Sequence, residues 1–226
     1  MKLKLLLAVA IISSALLSAQ ELKFGVGYNY LYSSQHTAAI QTYNFTRPIN
    51  TDPQPQLMHG GHIYINYLFA STRCFKHGIH VSFGYFRSNA ENINFINALS
   101  CHFISPGYVL HYDNPEVLKG LYADLTISAV LGGLFRSVNG VAYKIDDAPV
   151  VSLGIGGDVN LRLGYKVSLT DASYLSPYLA VSCNPYYYSP ETETVINQTK
   201  GLVTENWSTI FNTQAGIAFH FSLQPH

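Results

Sequence analysis

Charge is scarce in this sequence. Of 226 residues only 12% are Asp, Glu, Lys or Arg, roughly half the share of an ordinary soluble domain. The 13 basic and 13 acidic residues cancel, so the long-range field that a nucleic acid partner would exploit is missing, and nucleic acid is not expected as a partner. The three cysteines, Cys74, Cys101 and Cys183, lie far apart with no metal or redox spacing, and they are expected to be isolated thiols. Beyond Gln20 there is no apolar run of the approximately 20 residues that a membrane-spanning helix needs. Internal repeats, low-complexity tracts and linkers are also missing, which predicts a single folded domain.

The first residues, MKLKLLLAVAIISSALLSAQE, join basic Lys2 and Lys4 to an apolar run and then to small residues. That order predicts a secretory signal over residues 1–19, cut after Ala19, followed by a β domain over residues 20–226. An exported chain without a helical span is either soluble or a barrel.

What the sequence has instead is 17 Tyr, 12 Phe and 17 Gly, set in segments that alternate strictly. Val151 to Leu169, VSLGIGGDVNLRLGYKVSL, carries apolar residues or Gly at odd positions, with Asp158, Asn160, Arg162 and Lys166 at even ones. Leu22, Phe24, Val26, Tyr28, Tyr30 and Tyr32 share one parity in the first such segment, and Phe211, Ile217, Phe219 and Phe221 share one in the last. Eight segments of this kind are legible, the fourth being weak around Pro106. The connections alternate in length, with long ones expected at Ser34 to His59, Asn89 to His102, Ser137 to Pro149 and Ser189 to Asn206. Short turns facing one compartment and long loops facing the other are the pattern of an up-and-down transmembrane barrel.

Two solvents could explain a two-faced strand, a soluble barrel pointing its greasy side inward and a membrane barrel pointing it at lipid. The lumen of eight strands is too narrow for so many large side chains, whereas the other parity is rich in Gly, Ser and Asn. The apolar parity of the best segments also carries no charge, which suits hydrocarbon and would be an aggregation hazard in water. The expected fold is therefore all-β, an antiparallel up-and-down transmembrane barrel of eight strands in the outer membrane. At about 3.3 Å per residue the Val151 to Leu169 segment would span roughly 60 Å, so one end should project beyond the bilayer.

The signal, the alternating loops, the aromatic strands and a last strand ending near Phe221 resemble the small eight-stranded outer-membrane barrels of the OmpX and OmpA-barrel kind. Members of that class commonly end at an aromatic residue, whereas here SLQPH follows Phe221. The resemblance implies an outer-membrane location and lipid contact, including lipopolysaccharide, and no cofactor.

Inward parity gathers Lys23, His80, His111, Asp124, Asp158, Arg162, Lys166 and His220 into a candidate lumenal polar network, with Asp124 and Asp158 expected to pair with Arg162, Lys166 or Lys23 because charges in a narrow lumen must be matched. No ligand spacing supports a metal among the histidines. His80 and Ser82 superficially resemble the His-x-Ser pair of barrel lipid A deacylases, and Arg87 to Glu91 resembles the Ser-Asn-Ala piece that accompanies it. The two pieces do not coincide, since Phe86 stands two before Ser88, so no catalytic residue is expected. The loops supply contact candidates in Tyr43, Phe45, Arg47, Tyr186, Tyr187, Tyr188 and Trp207, stiffened by nearby prolines. A structural or interaction role, as an accessory subunit of a larger outer-membrane complex, is the expected function. The alternatives are a narrow pore or sensor and a lipid A-modifying enzyme.

Overall fold

The structure is a computed structural model that describes residues 21–33, 58–70, 74–91, 96–114, 119–142, 144–145, 148–149, 151–188 and 207–223. Eight long strands run antiparallel: β1 (Glu21–Tyr32), β2 (Met58–Ala70), β3 (Phe75–Glu91), β4 (Ile96–Tyr112), β5 (Leu121–Val138), β6 (Val151–Tyr165), β7 (Ser173–Tyr188) and β8 (Trp207–Ser222). Each pairs with its neighbours in sequence, and β1 pairs with β8 in one unbroken register from Glu21 opposite Ser222 to Tyr32 opposite Phe211. The sheet is thus closed on itself. Closure removes the unpaired edges that an open sheet would expose.

Alternation sets which way each residue faces. Val26, Ile63, Ile79, Phe83, Ile127, Leu161, Leu179 and Ile217 are exposed on the outer wall, while Lys23, Asn66, His111, Asp124, Arg162 and His220 are buried inside. A water-soluble protein inverts that order. Lipid on the outside requires it, because charge in hydrocarbon costs about 2–4 kcal/mol at the midplane.

Two expectations are corrected. The third connection is short, because β3 runs on to Glu91 and β4 already begins at Ile96, leaving only residues 92–95 between them. The alternation fades there because polarity inverts above the bilayer: Leu99 and Cys101 face inward while Ser100 and His102 face out. Pro106 sits inside β4 without a register shift, and the β4–β5 ladder lapses only at Ser105 and Pro106, where the proline lacks a donor. The sixth segment divides in two. It breaks at Lys166, and Val167–Thr170 continues along β7 alone, projecting past the end of the β5 ladder at Leu121.

Beyond β5 the chain reverses at Asn139 and Gly140, with φ of 50° and 79°. Positive φ at both central residues is a type I′ hairpin turn, which Asn-Gly adopts most readily. Asn139 also anchors the neighbouring hairpin, accepting from the Ile96 N–H through its Oδ1 (2.8 Å) and donating its own N–H to the Ile96 carbonyl (2.9 Å).

Candidate functional site: the barrel interior

Because inward residues of adjacent strands stand side by side, register alone dictates which charges meet. Lys23 on β1, His111 on β4, Asp124 on β5 and Arg162 on β6 converge on one carboxylate. Lys23 Nζ reaches Asp124 Oδ2 at 2.5 Å, His111 Nδ1 donates to Oδ1 at 2.6 Å, and Arg162 Nη1 lies 3.3 Å from Oδ2. Asp124, Lys23 and His111 have no solvent exposure at all. Aromatic faces complete the enclosure: Arg162 stacks 3.7 Å from the Tyr64 ring centroid and 4.9 Å from that of Tyr178, and Lys23 lies 3.7 Å from that of Tyr122. Such desolvated cation–π contacts are worth about 2 kcal/mol each.

A second carboxylate organises the periplasmic rim. Glu21 accepts from His220 Nδ1 at 2.6 Å, pairs with Lys76 and lies 3.8 Å from Lys166, which itself reaches Asp113 at 2.6 Å. The rim joins the deeper layer through a chain of hydroxyls: Tyr122 donates to Ser176 (3.1 Å), and Ser176 donates to His220 Nε2 (2.7 Å).

The expected site residues therefore divide. Lys23, His111, Asp124 and Arg162 meet in one layer, and Lys166 and His220 meet in the other with Glu21. His80 joins neither, its Nδ1 donating to Asn66 Oδ1 at 2.6 Å. Asp158 accepts from Ser182 rather than pairing with Lys23 or Lys166. Sequence reading missed Glu21, Lys76 and Asp113. Glu21 shares the parity of Lys23, but it abuts the predicted signal and was read with it; Lys76 and Asp113 fall in stretches read as turns.

Above the ionic layers lies a small polar cavity of about 20 Å³, bordered by Asn29, His62, Asp158, Asn160, Asn212 and Gln214 among others, room for one or two waters. Above that, an apolar plug fills the bore. Phe86 stacks on Phe103 with centroids 4.9 Å apart, and Leu99 packs on Leu134 against Met58 and Cys101. Among the described residues no group of His, Cys, Asp and Glu has the arrangement to hold a metal. Ser82 borders the polar cavity and Ser88 is buried on the inner face, so both hydroxyls of the deacylase-like pieces face the bore.

The loop candidates Tyr43, Phe45 and Arg47 lie outside the described residues. Tyr186, Tyr187, Tyr188 and Trp207 are strand residues and not loop residues, since β7 and β8 stay paired up to Tyr187 opposite Trp207. Their pairing continues because nothing on either strand interrupts the ladder above the bilayer.

An apolar outer wall around a polar, closed bore, with the chain's first and last strands joined, decides the fold. It is that of an outer-membrane β-barrel. No family model and no curated protein matches the sequence. Among solved structures, Ail, the attachment invasion locus protein of Yersinia pestis, is similar at 11% identity over 90% of this chain and 99% of its own, with a TM-score of 0.45. Neisserial surface protein A is similar at 9% identity over 90% and 96% of the two chains, with a TM-score of 0.48. The Escherichia coli outer membrane protease OmpT is similar at 6% identity over 91% and 97%, with a TM-score of 0.41. The fold assignment rests on the strand closure and the outward apolar wall described above.

Proposed function

We propose that this protein is an integral outer-membrane barrel that works through its outer wall and external loops as a structural or interaction component, docked as an accessory subunit on a larger outer-membrane assembly. The observation that carries this reading is the filled bore. Asp124 with its three partners, the Arg162 guanidinium against Tyr64 and Tyr178, and the Phe86–Phe103 stack occupy the bore at successive levels. A bore filled by its own side chains leaves the outside as the surface to offer a partner. The bore also argues against lipid A modification, because Ser82, Ser88 and His80 face a space that no acyl chain enters.

Gentle detergent extraction from native membranes, native separation and mass spectrometry test this reading. Stoichiometric recovery with another outer-membrane protein is expected. Recovery alone, together with unitary conductance in planar bilayers that Arg162→Ala enlarges, would replace it with a pore.

A further inference from the structure

One charged side chain breaks the rule of the outer wall. Among the described side chains of the eight strands, Arg87 is the only Asp, Glu, Lys or Arg that points outward, and it is exposed. Its Nε donates to Asn89 Oδ1 at 3.0 Å, and no described carboxylate pairs with it. Among the described residues its two terminal nitrogens have no partner.

Depth explains why it is tolerated there. The outward residues of β3 below it are Phe75, His77, Ile79, Val81, Phe83 and Tyr85, a column apolar but for His77, whose ring packs against those of Phe69 and Tyr108. Phe75 to Tyr85 rises roughly 25 Å for a strand tilted by about 40°, the full height of the apolar band of such barrels. Arg87 is the next outward residue. It stands at the outer border of the hydrocarbon, where a guanidinium costs about 0–1 kcal/mol and where outer-leaflet headgroups begin.

Its neighbours on the same face are donors as well. His59 on β2 and Ser100 on β4 are its register partners. The Tyr28 hydroxyl lies 2.6 Å from His59 Nδ1; with the hydroxyl as donor, the His59 proton sits on Nε2. His102, beside Ser100, lies with its ring centroid 4.8 Å from that of Tyr85. Arg87, His59, Ser100 and His102 thus form a cluster of groups able to donate, with no described acidic group, flanked by the tyrosine rings of Tyr28 and Tyr85.

We propose that this cluster binds the phosphate of a phosphorylated glycolipid headgroup in the outer leaflet. The inference rests on the outer-membrane reading and names the lipid contact of that wall. Arg87 supplies the planar fork that matches phosphate bidentately, His59 and Ser100 supply single donors on either side, and the column of Phe83, Val81 and Ile79 below receives the acyl chains. Tyr28 and Tyr85 take the interfacial position that suits an amphipathic ring.

The test uses the full folded chain in detergent, titrated with lipid A and with lipid A stripped of its phosphates, bound lipid being counted by native mass spectrometry. Wild type is expected to retain the phosphorylated form selectively, and Arg87→Gln to bind it about tenfold more weakly while both bind the stripped form equally. Arg87→Lys should recover only part of the loss. Folding of each variant is checked by the gel shift between unheated and boiled samples. Equal retention of both lipids by wild type, or no effect of Arg87→Gln, overturns the proposal. Displacement of the lipid by equimolar inorganic phosphate would overturn the lipid as the source. Fractionation of the chain away from the outer membrane would instead remove the reading beneath the proposal, so the two failures are distinguishable.

Discussion

The guanidinium of Arg162 is held between a ring and a carboxylate: its central carbon is 3.7 Å from the Tyr64 ring centroid and its Nη1 is 3.3 Å from Asp124 Oδ2. Neither partner is near Arg162 in sequence. The barrel register brings them there, since Asp124 lies opposite Arg162 on adjacent strands and Tyr64 faces them across the bore.

Removing the central carboxylate should cost the most of any single change inside the barrel. Asp124→Asn strands Lys23 and Arg162 as buried cations without a full counter-charge, which is expected to destabilise by about 3–5 kcal/mol. Urea titration followed by the gel shift of unheated samples reads the loss. Replacing Lys23 by Met in the same background should recover only part of it, because Arg162 remains a buried cation without its carboxylate.

The rim should behave differently. Lys76 is a quarter exposed where it pairs with Glu21, so Lys76→Met should cost less than about 1 kcal/mol, with a deficit that shrinks as salt is added. A Lys76→Met loss as large as that of Asp124→Asn would mean that the two layers form one network.

Gly25 has no side chain because the Tyr64 ring occupies that space; a Cβ there would lie 2.7 Å from the Tyr64 hydroxyl and closer still to the ring. The ring cannot retreat, being hemmed in by Arg162, Tyr178 and His80. Gly25→Ala is therefore expected to destabilise by about 1–3 kcal/mol. In a double-mutant cycle with Tyr64→Leu the combined loss should be smaller than the sum of the two single losses.

At the outer end, Asn139→Ala removes both the residue type suited to φ of 50° and the acceptor for the Ile96 N–H. A cost of about 1–2 kcal/mol confined to the β4–β5 extension should appear as faster cleavage by added protease near residues 136–142, with the midpoint of global unfolding unchanged. Asn139→Gly keeps the turn and loses only the side-chain acceptor, so its cleavage rate should fall between the two.

Thiol labelling checks the orientation of the wall. Cys183 is outward on β7 between exposed Val181 and Pro185, Cys101 faces the bore, and Cys74 adjoins the β2–β3 turn. A water-soluble maleimide should modify Cys74 when it has access to the periplasm, a lipid-soluble one should reach Cys183, and Cys101 should react only after unfolding.

The strands were legible in the sequence because lipid on one side and a narrow bore on the other impose opposite polarities on successive residues. Lys23, Asp124 and Arg162 could be placed inside by parity, and the last strand could be placed from Phe211 to Phe221, though it begins already at Trp207. What parity cannot supply is register. Nothing local tells that Arg162 meets Asp124 while Asp158, four residues earlier on the same face, meets Ser182. Above the bilayer the rule itself lapses, because water on the outside and an apolar plug inside reverse the pattern; Leu99 and Cys101 facing inward, with Ser100 and His102 facing out, were read as a loop for that reason. Arg87 enters the sequence reading only within the piece Arg87 to Glu91, and its place on the outer wall shows only once β3 is seen to run on to Glu91.

The bond between Glu21 and His220 spans 199 positions of sequence, from the opening residue of β1 to the end of β8. Lys76 of β3 and Asp124 of β5 match Glu21 and Lys23 from earlier strands, whereas the histidine partner of Glu21 comes only with the last strand. Val151–Tyr165, laid against β1, would bring no histidine to Glu21. The seam is therefore clasped from within: the strand that closes the barrel carries the other half at the matching depth.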